Sequence, residues 1–527
     1  MDRRTFVEAI GALTLAAGGR PAALGATADA SAAAQSGGGF DPSERSIAQL
    51  SRAQAEGGVS AEAVTRSYLE RIERFDRQGP KLGAVLALNP EALAAARALD
   101  AARRAGKLMG PLHGIPLLLK DNIETRDPLP TTAGSLALAT ARHSADAPVA
   151  ARLRAAGAIV LGKANLSEWA NFRSSRSVSG WSAVGGQCRC PYDPTRNPSG
   201  SSAGPAAATT ANLCAAALGS ETDGSILAPA SINGLVGHKP TVGLVSGVGV
   251  VPITKRQDTT GPMTRSVADA ALLLAVMAEP GVQWDGVAAL ESVPKGLRLG
   301  VLPPPASTHP EVLTQRQEWL KLLEREGFVL VDVPSAPGWD RLLDDEFEVL
   351  LYDFKADLNA YLARFKGTLP VRTLADVIEF NIQHAAEEMP FFGQELFIEA
   401  DKRGSRTDPA YVKALHHITD VADTNGLAAI FAKHHVDALV ASGNGPAELI
   451  DHVWGDREEN SGGWPPMCSA AAVAGYPSLT VPAGFVAGLP VGIHFVAPRF
   501  RDGRLLQIGR AFERARSARK PPQLAPT

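Results

Sequence analysis

The spacing of apolar residues changes character between residues 58 and 165. An amphipathic helix is predicted by apolar residues that recur every three or four positions, namely Ala61, Val64, Tyr68, Ile72 and Phe75. Further on, "IPLLLK" (115–120) and "AIVLGKAN" (158–165) are short apolar runs typical of buried strands. Between them, "DAPVAARLRAAG" predicts a helix that stops at Gly157. This alternation of helix and strand predicts an α/β core.

The same alternation returns near the C-terminus. There "VDALVAS" (436–442), "YPSLTVPAGF" and "GLPVGIHFVAP" are predicted strands, and "DGRLLQIGRAFERA" is a final helix. The intervening region, about 305–435, is richer in charge and contains long amphipathic segments such as "EVLTQRQEWLKLLEREG". We therefore predict one discontinuous core that carries a helical insertion.

Residues 170–262 are rich in Gly, Ser, Pro and Thr and poor in charge. Such a composition is typical of a flexible linker, but apolar runs such as "LCAAAL" and "INGLVG" interrupt it. We interpret its glycines as positions where the backbone turns tightly or approaches a ligand closely.

The first thirty residues resemble a twin-arginine signal peptide. Arg3 and Arg4 precede an apolar stretch broken by Glu8, and small-x-small sites follow at 26–28 and 28–30. A tail with two chance arginines is the alternative. The predicted organisation is a signal peptide, a linker with the start of the mature chain, one domain and a tail, at 1–30, 31–57, 58–518 and 519–527. Export would place the protein in the periplasm or outside the cell, and an unprocessed N-terminus would leave it in the cytoplasm.

Composition narrows the classes of partner. The 527 residues include 45% hydrophobic ones, and 52 Lys and Arg against 55 Asp and Glu give a net charge of −3. We expect neither nucleic acid nor membrane as a partner, because there is no broad basic field and no later segment has the ~20 apolar residues of a membrane helix. A neutral small molecule or peptide is the expected substrate, and the oligomeric state is left open.

The cysteines predict neither a zinc site nor an obvious disulfide framework. Cys188, Cys190, Cys214 and Cys468 include no C-x-x-C pair and no histidine cluster at zinc spacing. Small buried thiols are the favoured interpretation, and a bond from Cys188 or Cys190 to a distant cysteine stays open for an exported protein.

Candidate chemistry lies in two Gly/Ser stretches between 197 and 240, on either side of an alanine-rich run. Together with Lys120 upstream, their serines could perform acyl transfer without histidine. No G-x-S-x-G motif is present, and none of the 11 histidines is near Ser201 or Ser225 in sequence. A Ser-His-Asp triad assembled in space stays open, with His238 and His113 as its candidates, although packing or hydrogen bonding is the favoured role for both.

An ordered set of motifs resembles the amidase signature family of serine hydrolases. The matching segments are "GIPLLLKDNI", "LGKANLSEWA", "PYDPTRNPSGSSAG", "SETDGSILAPASINGLVGHKPTVGLVS", "DTTGPMTRSVADAALLL" and "AGYPSLTVPAGF" with "LPVGIHFVAP". They extend from about 60 to 515. The resemblance implies a large mixed β-sheet flanked by helices (α/β/α) and an amide hydrolase that needs no metal or cofactor.

The resemblance also implies roles for individual residues. Ser225 matches the nucleophile, Ser201 the bridging serine that follows a cis peptide bond from Gly200, and Lys120 the general base. Ser202 matches a serine that supports the lysine, and the backbone N–H groups of the turn Thr222, Asp223, Gly224 and Ser225 match the oxyanion hole. Such a base requires a lowered pKa, because an ordinary lysine, with a pKa of about 10.4, is protonated at neutral pH. The apolar run before Lys120 predicts that burial lowers its pKa.

Several positions depart from the commonest family pattern, and they bear on the substrate. "SGSSAGP" and "SETDGS" introduce Ser199, Ala203, Pro205, Glu221 and Asp223. No arginine follows Ser225, so no fixed cation is expected for an acidic substrate. The segments "SETDGSI", "RQDTTGPM" and "SGNGPAE" (442–448) look most similar to the peptide amidase branch, which removes C-terminal amides. An aryl-acylamidase or broad aliphatic amidase is the alternative, and an amidotransferase-type subunit is disfavoured by the export-like N-terminus.

Three aromatic residues have two open interpretations. Trp169, Phe172 and Trp181 lie in or beside the loop 170–190, where they could line the acyl side of the site or pack in the core. Residues of the helical insertion are expected to line the same side.

Overall fold

The computed structural model describes residues 40–365, 369–457 and 464–524. The predicted signal peptide at 1–30 lies outside the described residues. The predicted linker with the start of the mature chain, at 31–57, lies partly within them. Its last part forms a helix, Ile47–Ala55, that begins with a capping box between Ser46 and Gln49 and buries Ile47 and Leu50.

The core of the described chain is one mixed sheet of eleven strands, with a separate two-stranded hairpin. The strands are β1 (Val85–Leu88), β2 (Ile115–Lys120), β3 (Ala158–Ala164), β4 (Trp181–Ser182), β5 (Gly186–Gln187), β6 (Ala216–Glu221), β7 (Val236–Lys239), β8 (Thr259–Thr264), β9 (Arg298–Val301), β10 (Val329–Asp332), β11 (Ala438–Ser442), β12 (Ser478–Val486) and β13 (Leu489–Val496). The order in the large sheet is β1-β3-β2-β6-β8-β7-β12-β13-β11-β9-β10.

Helices cover both faces of this sheet and form the inserted region. The α-helices are α1 (Ile47–Ala55), α2 (Ala61–Arg71), α3 (Ala92–Arg104), α4 (Pro148–Ala155), α5 (Ala203–Thr210), α6 (Leu227–Ile232), α7 (Val267–Met277), α8 (Pro310–Arg325), α9 (Leu342–Leu362), α10 (Leu374–Gln383), α11 (Ala385–Glu388), α12 (Glu395–Asp401), α13 (Pro409–Thr419), α14 (Ala428–His434), α15 (Pro466–Val473) and α16 (Asp502–Arg516). Two π-helical turns, Ile72–Arg77 and Asp420–Leu427, extend α2 and α13. The mixed α/β fold predicted from the sequence is confirmed.

The sheet presents its catalytic candidates at the ends of its central strands. β2 pairs in parallel with β3 on one side and with β6 on the other, and all three are buried along their whole length. Parallel strands buried on both faces need continuous apolar sequence, which is what "IPLLL" supplies. Because parallel strands end at the same edge of a sheet, Lys120 and the turn after β6 lie at one edge.

The C-terminal strands join this same sheet, as the repeated α/β pattern predicted. β12 pairs with β7, and β13 pairs with both β12 and β11. The region 305–435 is mainly helical, but its first part differs from an insertion. There α8 buries Trp319 and Leu323 in the main core, and β10 forms the edge of the sheet beside β9.

The structure also bears on the cysteines, on membrane-spanning helices and on metal-binding clusters. The four cysteines are buried and unpaired. None of the helices within the described ranges combines the length and apolar character needed to cross a membrane. In those same ranges no three or more His, Cys, Asp or Glu side chains are grouped so that they could hold a metal ion.

Candidate active site

Lys120, the last residue of β2, is fully buried. Its Nζ atom donates to Ser201 Oγ at 2.7 Å and to the backbone oxygen of Ser220 at 3.1 Å. Burial lowers its pKa to about 7, although the charges of Asp258 and Glu221 oppose the decrease. An amine with such a pKa is partly neutral at physiological pH, and it can therefore accept a proton.

The serine loop that meets Lys120 comes directly before α5. The peptide bond between Gly200 and Ser201 is cis. Gly200 is crowded, since a Cβ atom there would lie 2.1 Å from Ser167 Oγ. Ser202 Oγ donates to the Ser220 backbone oxygen at 3.0 Å and accepts from the Ser220 backbone N–H at 3.2 Å. Ser202 therefore anchors the same residue whose backbone oxygen accepts a hydrogen bond from Lys120.

Ser225 lies in the turn between β6 and α6, against the serine loop. Its backbone oxygen accepts from the backbone N–H of Ser202 at 3.1 Å, and 8% of its surface is exposed. Glu221 stabilises the turn, because its Oε2 atom accepts from the N–H groups of Ile226 at 2.7 Å and Leu227 at 3.0 Å. The chain fold thus brings residues 120, 201, 202 and 225 together from three separate segments.

The turn itself carries free backbone donors. Within the part of the chain that the structure describes, no group accepts a hydrogen bond from the backbone N–H of Thr222, Asp223, Gly224 or Ser225. Gly224 has φ +76°, and a Cβ atom there would lie 3.3 Å from the ring of Trp464. The backbone angle therefore favours glycine, and a side chain here would also be tight against Trp464. Donors of this kind can stabilise a negatively charged oxygen.

Two carboxyl groups meet beside the turn. The Asp223 carboxyl lies beside Ser469 and beside Glu346, a buried residue of α9. Burial raises the pKa of Asp223 to about 7 and raises that of Glu346 well above its usual value. Two adjacent buried carboxyls cannot readily both ionise, and the charge of Asp223 is one cause of the raised pKa of Glu346. The sequence had shown that Asp223 departs from the commonest family pattern. It did not show that Glu346 lies beside it.

A further carboxylate lies on the other side of the turn. Asp258 accepts from Thr222 Oγ1 at 2.6 Å and from the backbone N–H of Ile253 at 2.9 Å. Burial raises its pKa to about 7. Asp258 therefore holds the turn by hydrogen bonds and also acts on Lys120 through its charge.

A cavity of about 570 Å³ opens over this arrangement. Gly200, Asp223 and Gly224 form part of its wall, and Trp464 and Trp339 line it as well. Leu343 of α9 contributes from the helical region, as the sequence predicted for that region. The cavity is large enough to hold a small organic substrate.

The aromatic residues considered in the sequence occupy core positions instead. Trp169 and Phe172 pack with Phe397 and Phe354, at ring distances of 5.7 and 5.1 Å. Trp181 packs against Phe392 at 5.1 Å. None of these three lines the cavity, although Asn171 and Ser179 of the same loop do. Core packing is therefore their role.

The two histidine candidates are also engaged elsewhere. His238 pairs with Asp502 at 3.1 Å. His113 accepts from the backbone N–H of Met109 at 3.1 Å, and its other ring nitrogen contacts the Leu99 backbone oxygen. Neither contacts the serines, so hydrogen bonding is the role of both.

Sequence reasoning missed several residues that line the cavity. They are Trp339, Asp340, Asn444, Glu448, Asp456 and Trp464. The available signal was the segment "SGNGPAE", which contains Asn444 and Glu448 and was noted only for its similarity to one branch of a family.

Known amidases are similar to this chain in sequence and in structure. The model of the amidase family matches residues 63–506. A probable amidase of Arabidopsis thaliana is 38% identical over 506 residues, covering 92% of this chain and 92% of that protein. The crystal structure of a native peptide amidase from Stenotrophomonas maltophilia is similar with a TM-score of 0.86 and 45% identity, over 92% of this chain and 99% of that one.

The similar proteins also include amidotransferases. A glutamyl-tRNA(Gln) amidotransferase subunit of Halorhodospira halophila is 33% identical over 497 residues, which cover 89% of this chain and 97% of that protein.

Proposed function

The chain belongs to the amidase family and is an amide-hydrolysing enzyme, and we propose that it removes the C-terminal amide of peptides with a triad of Ser225, Ser201 and Lys120. The observation that carries the proposal is the 2.7 Å contact between Lys120 Nζ and Ser201 Oγ, next to the turn that holds Ser225. The similarity to a peptide amidase supports the substrate class.

In the proposed acylation, Ser225 Oγ attacks the carbonyl carbon of the substrate. Its proton passes to Ser201 Oγ while the proton of Ser201 passes to the neutral amine of Lys120. The lowered pKa of Lys120 supports this direction of transfer, because an ordinary lysine would already be protonated. When the C–N bond breaks, the proton returns from Lys120 through Ser201 to the leaving nitrogen, and ammonia departs.

Deacylation reverses these transfers. A water molecule attacks the ester formed on Ser225, and its proton reaches Lys120 through Ser201. The proton then returns to Ser225 Oγ as the carboxylic acid leaves. In both halves the developing oxyanion is stabilised by backbone N–H groups of the turn 222–225, and removal of one such donor typically costs about 10²–10³ in rate.

The supporting serine acts on the lysine rather than on the substrate. Ser202 holds the backbone of Ser220, and the oxygen of that residue accepts from Lys120 at 3.1 Å. This contact keeps the amine directed at Ser201, so Ser202 is a positioning residue.

The test is hydrolysis of a panel of amides by the purified protein, measured as ammonia released from primary amides and as aniline released from anilides. Peptides with a C-terminal amide are compared with the same peptides as free acids. Anilides, short aliphatic amides and glutamine are tested as the other substrate classes. We expect hydrolysis of the peptide amides, with no ammonia from the Ser225→Ala variant. Preference for anilides, aliphatic amides or glutamine, or turnover by Ser225→Ala, would overturn the proposal.

A further inference from the structure

The cavity beside the turn 222–225 is lined by several acidic residues. Asp223, Asp340, Glu448 and Asp456 line it, with Arg457 as its one basic residue among those that the structure describes. The net charge of the whole chain is only −3, so this accumulation is local. The overall charge of the chain had led us to expect a neutral substrate, and it gave no sign of this local accumulation.

Arg457 offsets this acidic charge only in part, through its effect on Glu448. Its guanidinium pairs with Asp451 at 3.5 Å and lies 5.6 Å from the centre of the Trp454 ring. Glu448 receives only the backbone N–H of Arg457, at 3.4 Å. Within the described ranges, neither Glu448 nor Asp456 forms an ion pair with a Lys, Arg or His side chain. We call these two residues the acid pair.

The acid pair is held in position by neutral hydrogen-bond donors. Asp456 accepts from the Ser179 backbone N–H at 3.0 Å and from Asn197 Nδ2 at 2.7 Å. The backbone N–H of Asn197 donates to the Glu448 backbone oxygen at 2.8 Å. Burial, and then the nearby charge of Asp456, raise the pKa of Glu448 to about 7. A bound cation would relieve this repulsion between carboxylates.

An unpartnered polar group independently indicates a ligand at the same wall. Asn444 is 5% exposed and lines the cavity, yet its Oδ1 atom has no hydrogen-bond partner among the described residues. A buried acceptor without a donor is unfavourable, and native proteins seldom leave one. An N–H group of a bound substrate would satisfy it.

The acid pair also lies within reach of a bound peptide. Asn197, which contacts both acids, is followed four residues later by Ser201. Four residues of extended chain span at most about 14 Å. The backbone of Asn197, beside the acid pair, is therefore no more than about four residues of extended peptide from Ser201.

We propose that the acid pair and Asn444 bind an ammonium group of the substrate, so that the enzyme prefers short peptide amides that carry a positive charge. This inference rests on the proposed hydrolysis of peptide amides. The ammonium belongs either to the free N-terminus of a short peptide or to a lysine side chain, and both present the same N–H donors.

The test measures kcat/KM for two matched pairs of substrates. Gly-Phe-amide is compared with its N-acetyl derivative, and N-acetyl-Lys-Phe-amide with N-acetyl-Gln-Phe-amide. We expect the charged member of at least one pair to be favoured by about 10–100-fold, as is typical of hydrogen bonds to a charged group. Preference in the first pair assigns the ammonium to the N-terminus, and preference in the second assigns it to the side chain.

Substitutions locate the preference. Glu448→Gln and Asp456→Asn should each lower the ratio of charged to uncharged kcat/KM by about tenfold or more. The matched control is Glu387→Gln, which removes an exposed carboxylate outside the cavity and should leave the ratio unchanged. In the wild type, but not in the Glu448 and Asp456 variants, the ratio of charged to uncharged kcat/KM should fall as salt is added, because salt screens the attraction between the carboxylates and the ammonium group.

The outcomes separate this inference from the proposed function. Ratios near one in both pairs, with the amides still hydrolysed, overturn the ammonium site alone. A preference that survives both substitutions overturns it as well. If no peptide amide is hydrolysed, both proposals fail.

Discussion

Two buried lysines at neighbouring strand ends have different partners. Lys163 on β3 contacts the Asp121 carboxylate at 3.1 Å, the Thr131 hydroxyl at 2.9 Å and the Ile123 backbone oxygen at 2.7 Å. Among the described residues, Lys120 on β2 donates hydrogen bonds only to the Ser201 hydroxyl and the Ser220 backbone oxygen. Both side chains are fully buried, so burial alone does not distinguish them.

The difference lies in the adjacent charge. Burial lowers the pKa of both lysines. For Lys163 the attraction of the Asp121 carboxylate in direct contact opposes that change, whereas the carboxylates that act on Lys120 make no hydrogen bond to it. One lysine is thus a component of an ion pair that stabilises the fold, and the other is an amine whose proton can move. Loss of each should therefore affect a different property.

The largest expected effect is on catalysis, from Lys120→Met. Removal of the proposed base should lower kcat on a peptide amide by up to about 10⁴-fold, the upper range for general acid–base catalysis. The fold should persist, since a methionine fills similar volume without a buried charge. Steady-state kinetics and circular dichroism measure the two properties. A kcat within tenfold of the wild type would contradict the role of Lys120.

The next effect is on stability, from Lys163→Met. This change leaves Asp121 buried without its cation, and loss of one partner of such a pair typically costs about 3–5 kcal/mol of unfolding free energy. Thermal and urea unfolding measure the loss. The double variant Lys163→Met with Asp121→Asn is the matched control and should recover part of the stability. Wild-type stability in the single variant would refute the comparison.

The third effect is on pH dependence. Burial lowers the pKa of Lys120 from the usual 10.5 to about 7, so the reactive neutral amine is the main form above pH 7. We expect kcat/KM to fall about tenfold per pH unit below that value and to level off above it. A profile that rises only near pH 10 would show that burial does not lower this pKa.

Asp258→Asn sharpens that test. The charge of Asp258 raises the pKa of Lys120, so its removal should move the acidic limb of the profile to lower pH. The shift is read from kcat/KM profiles of the two proteins. A limb that stays in place, or moves to higher pH, would assign the titration to another group.

The smallest effect is expected from Ser202→Ala. The variant loses the two hydrogen bonds between Ser202 and the backbone of Ser220. If their loss raises the activation free energy by about 1–1.5 kcal/mol, kcat falls roughly tenfold. His238→Asn is the control, because His238 pairs with Asp502 and does not contact the serines. It should change the melting temperature but not kcat. An inactive but folded His238 variant would favour a histidine-based mechanism instead.

Much of the fold was predictable because the spacing of apolar residues within a segment shows whether it forms a buried strand or a helix with one buried face. The runs at 115–120 and 158–165 predicted β2 and β3, and the C-terminal runs predicted strands of the same sheet. The misjudged region was 305–435, where one edge strand and α8 belong to the main layers. Amphipathic helices look alike in sequence whether they pack on the sheet or on one another.

The catalytic candidates were also accessible from sequence, because each lies in a contiguous motif. Lys120 ends an apolar strand, and Ser201 and Ser225 lie in two short Gly/Ser stretches. The aromatic residues were not accessible in this way. Trp169 and Trp181 pack against side chains more than 200 positions away, and no local pattern encodes that contact.

The sequence by itself determined the α/β class and the family and pointed to the serines and the lysine, since these depend on local order along the chain. The tertiary structure alone decided which groups surround them. Asp223 meets Glu346 of the distant α9, and the acid pair and Asn444 line the same cavity as Asp223 and Gly224, which come from a distant part of the chain. The pKa of a buried group and the charge of a cavity depend on distances in space and on the exclusion of water, and both are set only when the chain folds.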